Sequence, residues 1–204
     1  FRPLCIGLLP SGGHAVASEA GALQTLGCEA IRDVKPGEVV SLSNSALKVM
    51  QALPSIEPSS MCVFEHIYFA RPDQTWDGIN VHHVRQRLGE ELAREVESGW
   101  LRKTDEQMAD VVIPVPDSSV PAAIGFSHVS RIPYNDGFIK NRYVGRTFIE
   151  PTDSLRKRGV ALKFNVINEN VRDKRVMMID DSIVRGNTTG PLIKLLKNAG
   201  AKEV

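Results

Sequence analysis

Four apolar residues, Val176 to Ile179, run directly into two carboxylates, Asp180 and Asp181, and then into Ser182-Ile183-Val184-Arg185-Gly186-Asn187-Thr188-Thr189-Gly190-Pro191. No other stretch restricts the fold so tightly. A short unbroken apolar run suits a strand buried on both faces of a parallel sheet. Open α/β sheets bind ligands at the carboxyl ends of their strands, where the two aspartates fall. Beyond the loop a helix is expected: Pro191 suits its first turn, Thr188 or Thr189 can cap it, and Leu192, Ile193, Leu195, Leu196 and Ala199 form its apolar stripe before Gly200 stops it. Backbone N–H groups of the loop and the helix start make an anion site suited to phosphate. Ionised aspartates only accept hydrogen bonds, so Asp180 and Asp181 suit vicinal hydroxyls or a hydrated Mg2+. Together these describe a phosphorylated sugar. The plain alternative is an acidic strand end that merely caps the next helix. A P-loop nucleotidase is excluded, because no G-x-x-x-x-G-K-[ST] run occurs.

The layout occurs twice. Asp110 to Val115 reads as a second buried strand, followed by Pro116-Asp117-Ser118-Ser119 and a helix from Pro121 to about Val129. One such loop is ordinary; two of them point to a shared site. The expected fold class is therefore α/β, a parallel sheet flanked by helices. Residues 1–45 read differently, as a β-rich antiparallel segment with strands at Leu4 to Leu8, His14 to Ala17 and Val39 to Leu42. Residues 44–60 read as a connector, and Met61 to Ala70 as a strand carrying a buried Cys62. Asn80 to Glu97 has the period of an amphipathic helix. Its expected inner stripe is Val81, Val84, Leu88, Leu92 and Val96, with Arg85 among the charges of a solvated face. Residues 98–107 read as a polar loop and 154–163 as a basic helix. Between residues 137 and 151 no period holds, yet Lys140, Arg142 and Arg146 interleave with Tyr143. That composition fits either a solvated charged face or a lid over an anion.

Bulk properties narrow the class. Lys+Arg of 25 against Asp+Glu of 24 leaves a formal charge of +1, so nothing argues for nucleic acid or a membrane surface. No apolar run approaches the roughly 20 residues that span a bilayer. Cys5, Cys28 and Cys62 are odd in number and far apart, unlike a secreted disulfide framework. A soluble, cytoplasmic protein is expected. The start at Phe1 and the stop at Val204, where a strand begins, suggest a piece of a longer chain.

These residues also resemble a family. Val176 to Thr189 is similar to the phosphoribosyl-pyrophosphate (PRPP) loop of type I phosphoribosyltransferases, and Asp-Asp-Ser-Ile-Val-Arg-Gly at 180–186 resembles that of the glutamine PRPP amidotransferases. Residues 114–125 and Gly137 to Ile149 carry the same likeness, the latter resembling a lid that salvage phosphoribosyltransferases lack. Arg2-Pro3-Leu4, Ala17-Ser18-Glu19 and Asp33 to Glu38 resemble the end of the family's glutaminase domain. The resemblance implies residues 1–55 as a remnant of that N-terminal-nucleophile domain plus linker, and 56–204 as a phosphoribosyltransferase domain incomplete at its C-terminal end. It implies transfer of the phosphoribosyl group of PRPP to glutamine-derived ammonia, giving 5-phosphoribosylamine and pyrophosphate. PRPP would lie on Asp180, Asp181, Ser182, Ile183, Val184, Arg185, Gly186, Asn187 and Thr188, although many members have Thr where this chain has Asn187. Mg2+ would sit with Ser118, Asp180 and Asp181, and Lys140, Arg142, Tyr143 and Arg146 would cover the leaving group. In cluster-bearing members a Cys at the position of Cys62 is one of four thiolates of a 4Fe-4S cluster; the other three would fall beyond residue 204. The family's glutaminase domain uses an amino-terminal Cys as nucleophile, whereas the first residue here is Phe1, so this chain is not expected to hydrolyse glutamine. The longer parent is expected to be a homo-oligomer. A PRPP-sensing module without catalysis and a salvage purine phosphoribosyltransferase are the alternatives.

Overall fold

A computed structural model describes residues 3–43, 46–54, 60–76, 78–100, 108–141, 163–183, 186 and 188–204, with Trp100 described by its backbone alone. It divides into two compact units, Phe1–Val81 and His82–Val204.

The first unit is antiparallel and β-rich. Strands β1 (Cys5–Leu8), β2 (His14–Ala17) and β3 (Glu29–Asp33) form a sheet in the order β2-β1-β3, and α1 (Ala20–Thr25) connects β2 to β3 along the chain. Cys5, Leu23, Cys28, Trp76 and Val81 form its core. The Cys5 thiol donates to the Asp33 carboxylate at 3.1 Å, and burial, followed by that bond and charge, pushes its pKa up to about 12. It packs as an inert small hydrophobe.

Two expectations fail in this unit. The supposed connector contains β5 (Ala46–Gln51), paired along its whole length with β4 (Glu38–Ser43). The expected strand 61–70 is instead a π-helical turn, Glu65–Phe69, and Cys62 is exposed rather than buried. Among the described residues this segment finds no ladder partner, and the amide of Ala70 is satisfied locally by the Glu65 carbonyl at 3.0 Å. A strand without a neighbour leaves its amides open, so the local bond wins. Short pairs β6 (Thr75–Trp76) and β7 (Ile79–Asn80) close the unit.

The second unit is built on β8 (Val111–Pro114) and β11 (Val176–Ile179), which pair in parallel with Val176 opposite Val111 and Ile179 opposite Pro114. Single parallel bridges extend both edges, Val112 to Tyr134 and Arg175 to Glu203, so the spatial order runs Tyr134, β8, β11, Glu203. Side chains alternate across this sheet. Val111, Ile113, Val176 and Met178 face one core with Leu192 and Leu196; Val112, Met177 and Ile179 face the other with Ala93, Ala123 and Phe126. Helix α3 (Val120–Ser130) thus covers one face, with α2 (Val81–Glu95), and α5 (Thr189–Asn198) covers the other. A strand buried on both sides reads as an unbroken apolar run, and both strands do. Each fully buried Leu or Phe here contributes roughly 1.5–3 kcal/mol of transfer free energy. The antiparallel pair β9 (Phe138–Lys140) and β10 (Phe164–Val166), followed by the turn α4 (Asn168–Val171), completes the face under α5, with Phe138 and Phe164 meeting edge to face at 5.9 Å.

Helix α2 is present but rotated from its expected setting. Val81, Arg85, Gly89, Ala93 and Val96 are buried, while Leu88 is 46% exposed and Leu92 lies outside as well. The cause is close packing. A Cβ at Gly89 would fall inside the Ala122 carbonyl group, and one at Gly125 inside that of Gln86. Two reciprocal glycines bring the α2 and α3 backbones together, and that contact overrides the larger leucines. Among the described residues no helix is long and apolar enough to cross a membrane.

Candidate functional site

The connection after β8 leads to the Tyr134 edge and the one after β11 to the Glu203 edge. Between those two strands the order reverses, the kind of place at which open α/β sheets bind their ligands. The Val115 amide donates to the Ile179 carbonyl at 2.9 Å, so both loops leave the sheet side by side.

Two hydroxyls converge on Asp181. Ser118, from the β8 loop and 63 residues away in sequence, donates through Oγ to Oδ2, and Ser182 donates to Oδ1 at 2.7 Å. Asp180 accepts from the Asp181 amide at 2.9 Å. Burial, and then the neighbouring negative charge of Asp181, raise the Asp180 carboxyl to a pKa of about 6. Ser119 is fully buried and donates to the Val115 carbonyl, so it holds the loop rather than facing a ligand. The Pro116–Asp117 peptide is cis.

The second loop ends at the N-terminus of α5. Gly186 has φ +67, a conformation that costs a side-chain-bearing residue, and its carbonyl accepts from Gly190 at 3.0 Å. Thr188 occupies the N-cap position but its side chain makes no capping bond. Ser182 and Ile183 are exposed. Val184, Arg185 and Asn187 lie outside the described residues.

On the other flank the Lys140 ammonium pairs with the Asp117 carboxylate. The Asn141 amide donates to the Lys163 carbonyl at 2.7 Å, continuing the β9–β10 pairing. Burial, then repulsion from Lys140, lowers the pKa of Lys163, with Asp117 opposing. Lys140 and Lys163 therefore stand together at the first loop. Arg142, Tyr143 and Arg146, the other expected lid residues, lie outside the described residues, as does the basic segment 154–162. Cys62 belongs to the first unit.

Asp117, Lys163 and Arg85 were not singled out by sequence. Asp117 sat in plain view inside Pro-Asp-Ser-Ser, whereas Lys163 closed a run of basic residues that read as a solvated face.

The fold and the site together define an α/β domain with two carboxylates and two hydroxyls gathered where the order of its parallel strands reverses. No protein-family model matches the chain. Along its whole length it is 48% identical to an amidophosphoribosyltransferase of Archaeoglobus fulgidus and 45% identical to that of Bacillus subtilis; it is 43% identical to that of Mus musculus over 219 aligned residues. Two solved structures cover all of it at 45% identity and a TM-score of 0.81, over 41% and 42% of their own chains. One is described as the allosteric regulatory enzyme of purine biosynthesis, the other as glutamine PRPP amidotransferase from B. subtilis complexed with ADP and GMP. The chain is thus related to the amidophosphoribosyltransferases over its full length. It spans about two fifths of the curated relatives it matches.

Proposed function

We propose that this chain carries the PRPP-binding, phosphoribosyl-transferring part of an amidophosphoribosyltransferase. The observation that carries the reading is the hydrogen bond from Ser118 to Asp181, which joins two βα loops at the switch point of the sheet. Asp180 and Asp181 accept the ribose hydroxyls, and the backbone from Ser182 to Thr188, ahead of α5, receives the 5-phosphate. Ammonia attacks C1 of the ribose. The C1–N bond forms as the C1–O bond to pyrophosphate breaks, the electron pair leaves with the pyrophosphate, and the surplus proton of the ammonium product passes to solvent. No protein nucleophile is required, because positioning and electrostatics supply the acceleration. Lys140 and Lys163 offer positive charge where the pyrophosphate departs, joined by Arg142, Tyr143 and Arg146.

The donor set fits Mg2+. Two carboxylates and a hydroxyl are hard oxygen ligands, and among the described residues no third carboxylate, His or Cys joins them to make an all-protein cage. Mg2+ is bound in that way, by one or two carboxylates plus waters and substrate phosphate. When bound, it neutralises charge on the departing pyrophosphate. A 4Fe-4S cluster finds no such set: Cys5 and Cys28 are buried in the first unit, leaving exposed Cys62 as a single prospective ligand. Residues 1–55 are assigned to the end of a glutaminase domain and 56–204 to the transferase, although the first compact unit runs on to Val81. The parent protein is assigned to the cytoplasm as a homo-oligomer.

Calorimetric titration of PRPP, with and without Mg2+, tests this reading beside an Asp180→Asn/Asp181→Asn variant. Binding should require Mg2+ and vanish in the variant, and ammonium should then release pyrophosphate. Binding without release would instead identify a sensor; no binding by the folded chain would sink the reading.

A further inference from the structure

The loop after β8 carries a carboxylate that the proposed reaction does not use. Ser118 donates to Asp181, whereas Asp117, one residue earlier, receives the Lys140 ammonium in an ion pair that is also a hydrogen bond. The backbone beneath Lys140 is fixed. Lys140 stands opposite Phe164 in the β9–β10 ladder, and the Asn141 amide just beyond it donates to the Lys163 carbonyl at 2.7 Å. Its side chain is not fixed in the same way. A lysine is a point charge with three rotatable donors on a flexible stem, so it can exchange one oxygen partner for another while its backbone stays in place. The Asp117 side chain is 75% exposed and that of Lys140 31%, so water screens the pair and keeps it weak. A weak pair is one that a more highly charged anion displaces.

We infer that Asp117 is the internal counter-ion of Lys140: it occupies the lysine in the empty site and releases it only to a ligand that bears a pyrophosphate. Asp117 is thus a specificity-determining residue and not a catalytic one. The inference deepens the proposed PRPP reading and rests on it, because it needs the pyrophosphate to lie toward Lys140. Pyrophosphate carries several negative charges against the single charge of the carboxylate, so the exchange favours it. A sugar monophosphate brings no such group to the lysine and leaves the pair closed. Opening the pair subtracts from PRPP affinity by about two- to fivefold, the range for pairs this exposed.

The test titrates PRPP and ribose 5-phosphate, each with Mg2+, into this chain and its Asp117→Asn, Lys140→Gln and Asp117→Asn/Lys140→Gln variants. Asp117→Asn should tighten PRPP binding about two- to fivefold and leave ribose 5-phosphate binding unchanged. In the Lys140→Gln background the same substitution should gain less, because no pair remains to open. PRPP binding that is unchanged or weaker in Asp117→Asn overturns the inference, and weaker binding would make Asp117 a ligand-binding group itself. Equal gains in both backgrounds also overturn it, since they leave only charge repulsion between Asp117 and the ligand. So does an equal gain for ribose 5-phosphate. Should Asp117→Asn fail to fold, Asp117→Ser takes its place in the cycle. Failure of the wild-type chain to bind PRPP overturns the functional reading and this inference with it; any of the other results, with wild-type binding intact, overturns the inference alone.

Discussion

Asp180 sits in a setting that disfavours its own charge. Its carboxyl has a pKa near 6 in the folded chain, above its ordinary value, so the folded state binds a proton more readily than the unfolded one between about pH 4 and 6. Stability without ligand therefore falls as pH rises through that window. At neutral pH, Asp180→Asn should stabilise the ligand-free chain, by on the order of 2 kcal/mol, while removing PRPP binding. Thermal unfolding at pH 4, 5, 6 and 7 checks this: the wild-type slope should be absent in the variant. Asp110 shows the opposite sign. The Arg175 guanidinium and amide hold its carboxyl down at about 2, so this pair stabilises fully above about pH 4 and is lost as pH falls toward 2. Asp110→Asn should lower the melting temperature at pH 7 and make no difference below pH 2. Ser118→Ala removes the hydroxyl that donates to Asp181, so PRPP affinity should drop by about tenfold with the fold intact.

At the scale of elements, α2 and α3 offer the sharpest contrast between size and importance. Leu88 looks like a core residue in sequence but is half exposed, whereas Gly89 beside it meets the Ala122 carbonyl group. Leu88→Ala should cost less than about 1 kcal/mol. Gly89→Ala should cost several times that, because neither backbone can retreat from the added methyl group without opening the helix pair. Leu192→Ala on α5, fully buried against β8 and β11, should fall in the usual range of about 2–5 kcal/mol. Urea denaturation of the three variants ranks them, and a Leu88→Ala loss equal to that of Leu192→Ala would contradict the observed helix setting. Here the sequence was half legible. The period announced a helix, and α2 starts and ends within two residues of the expected bounds, but the period could not say which face is inward. Leucines at i and i+4 are the usual signal of a core stripe, and only the approach of a second helix reveals that two glycines outrank them.

For the molecule as a whole, the proposed ligand site belongs to the unit His82–Val204. PRPP with Mg2+ at about 100 times its dissociation constant should stabilise that unit by roughly 2.7 kcal/mol through mass action. Hydrogen exchange should then show slower amides in β8, β11 and the start of α5, and unchanged amides in β1, β2 and β3. Equal protection in both units would show that the ligand site is not confined as described. What the sequence determined alone was the ladder of local patterns: two unbroken apolar strands, each followed by a polar loop and a helix, with carboxylates and hydroxyls at their ends. Those depend on residues adjacent in the chain, so a pattern suffices. Only the tertiary structure decided that Ser118 meets Asp181, that Lys140 pairs with Asp117, that Arg85 is buried, and that 61–70 is not a strand. Each of these depends on what lies across a sheet or against a helix, and burial and pairing between distant residues leave no period in the chain.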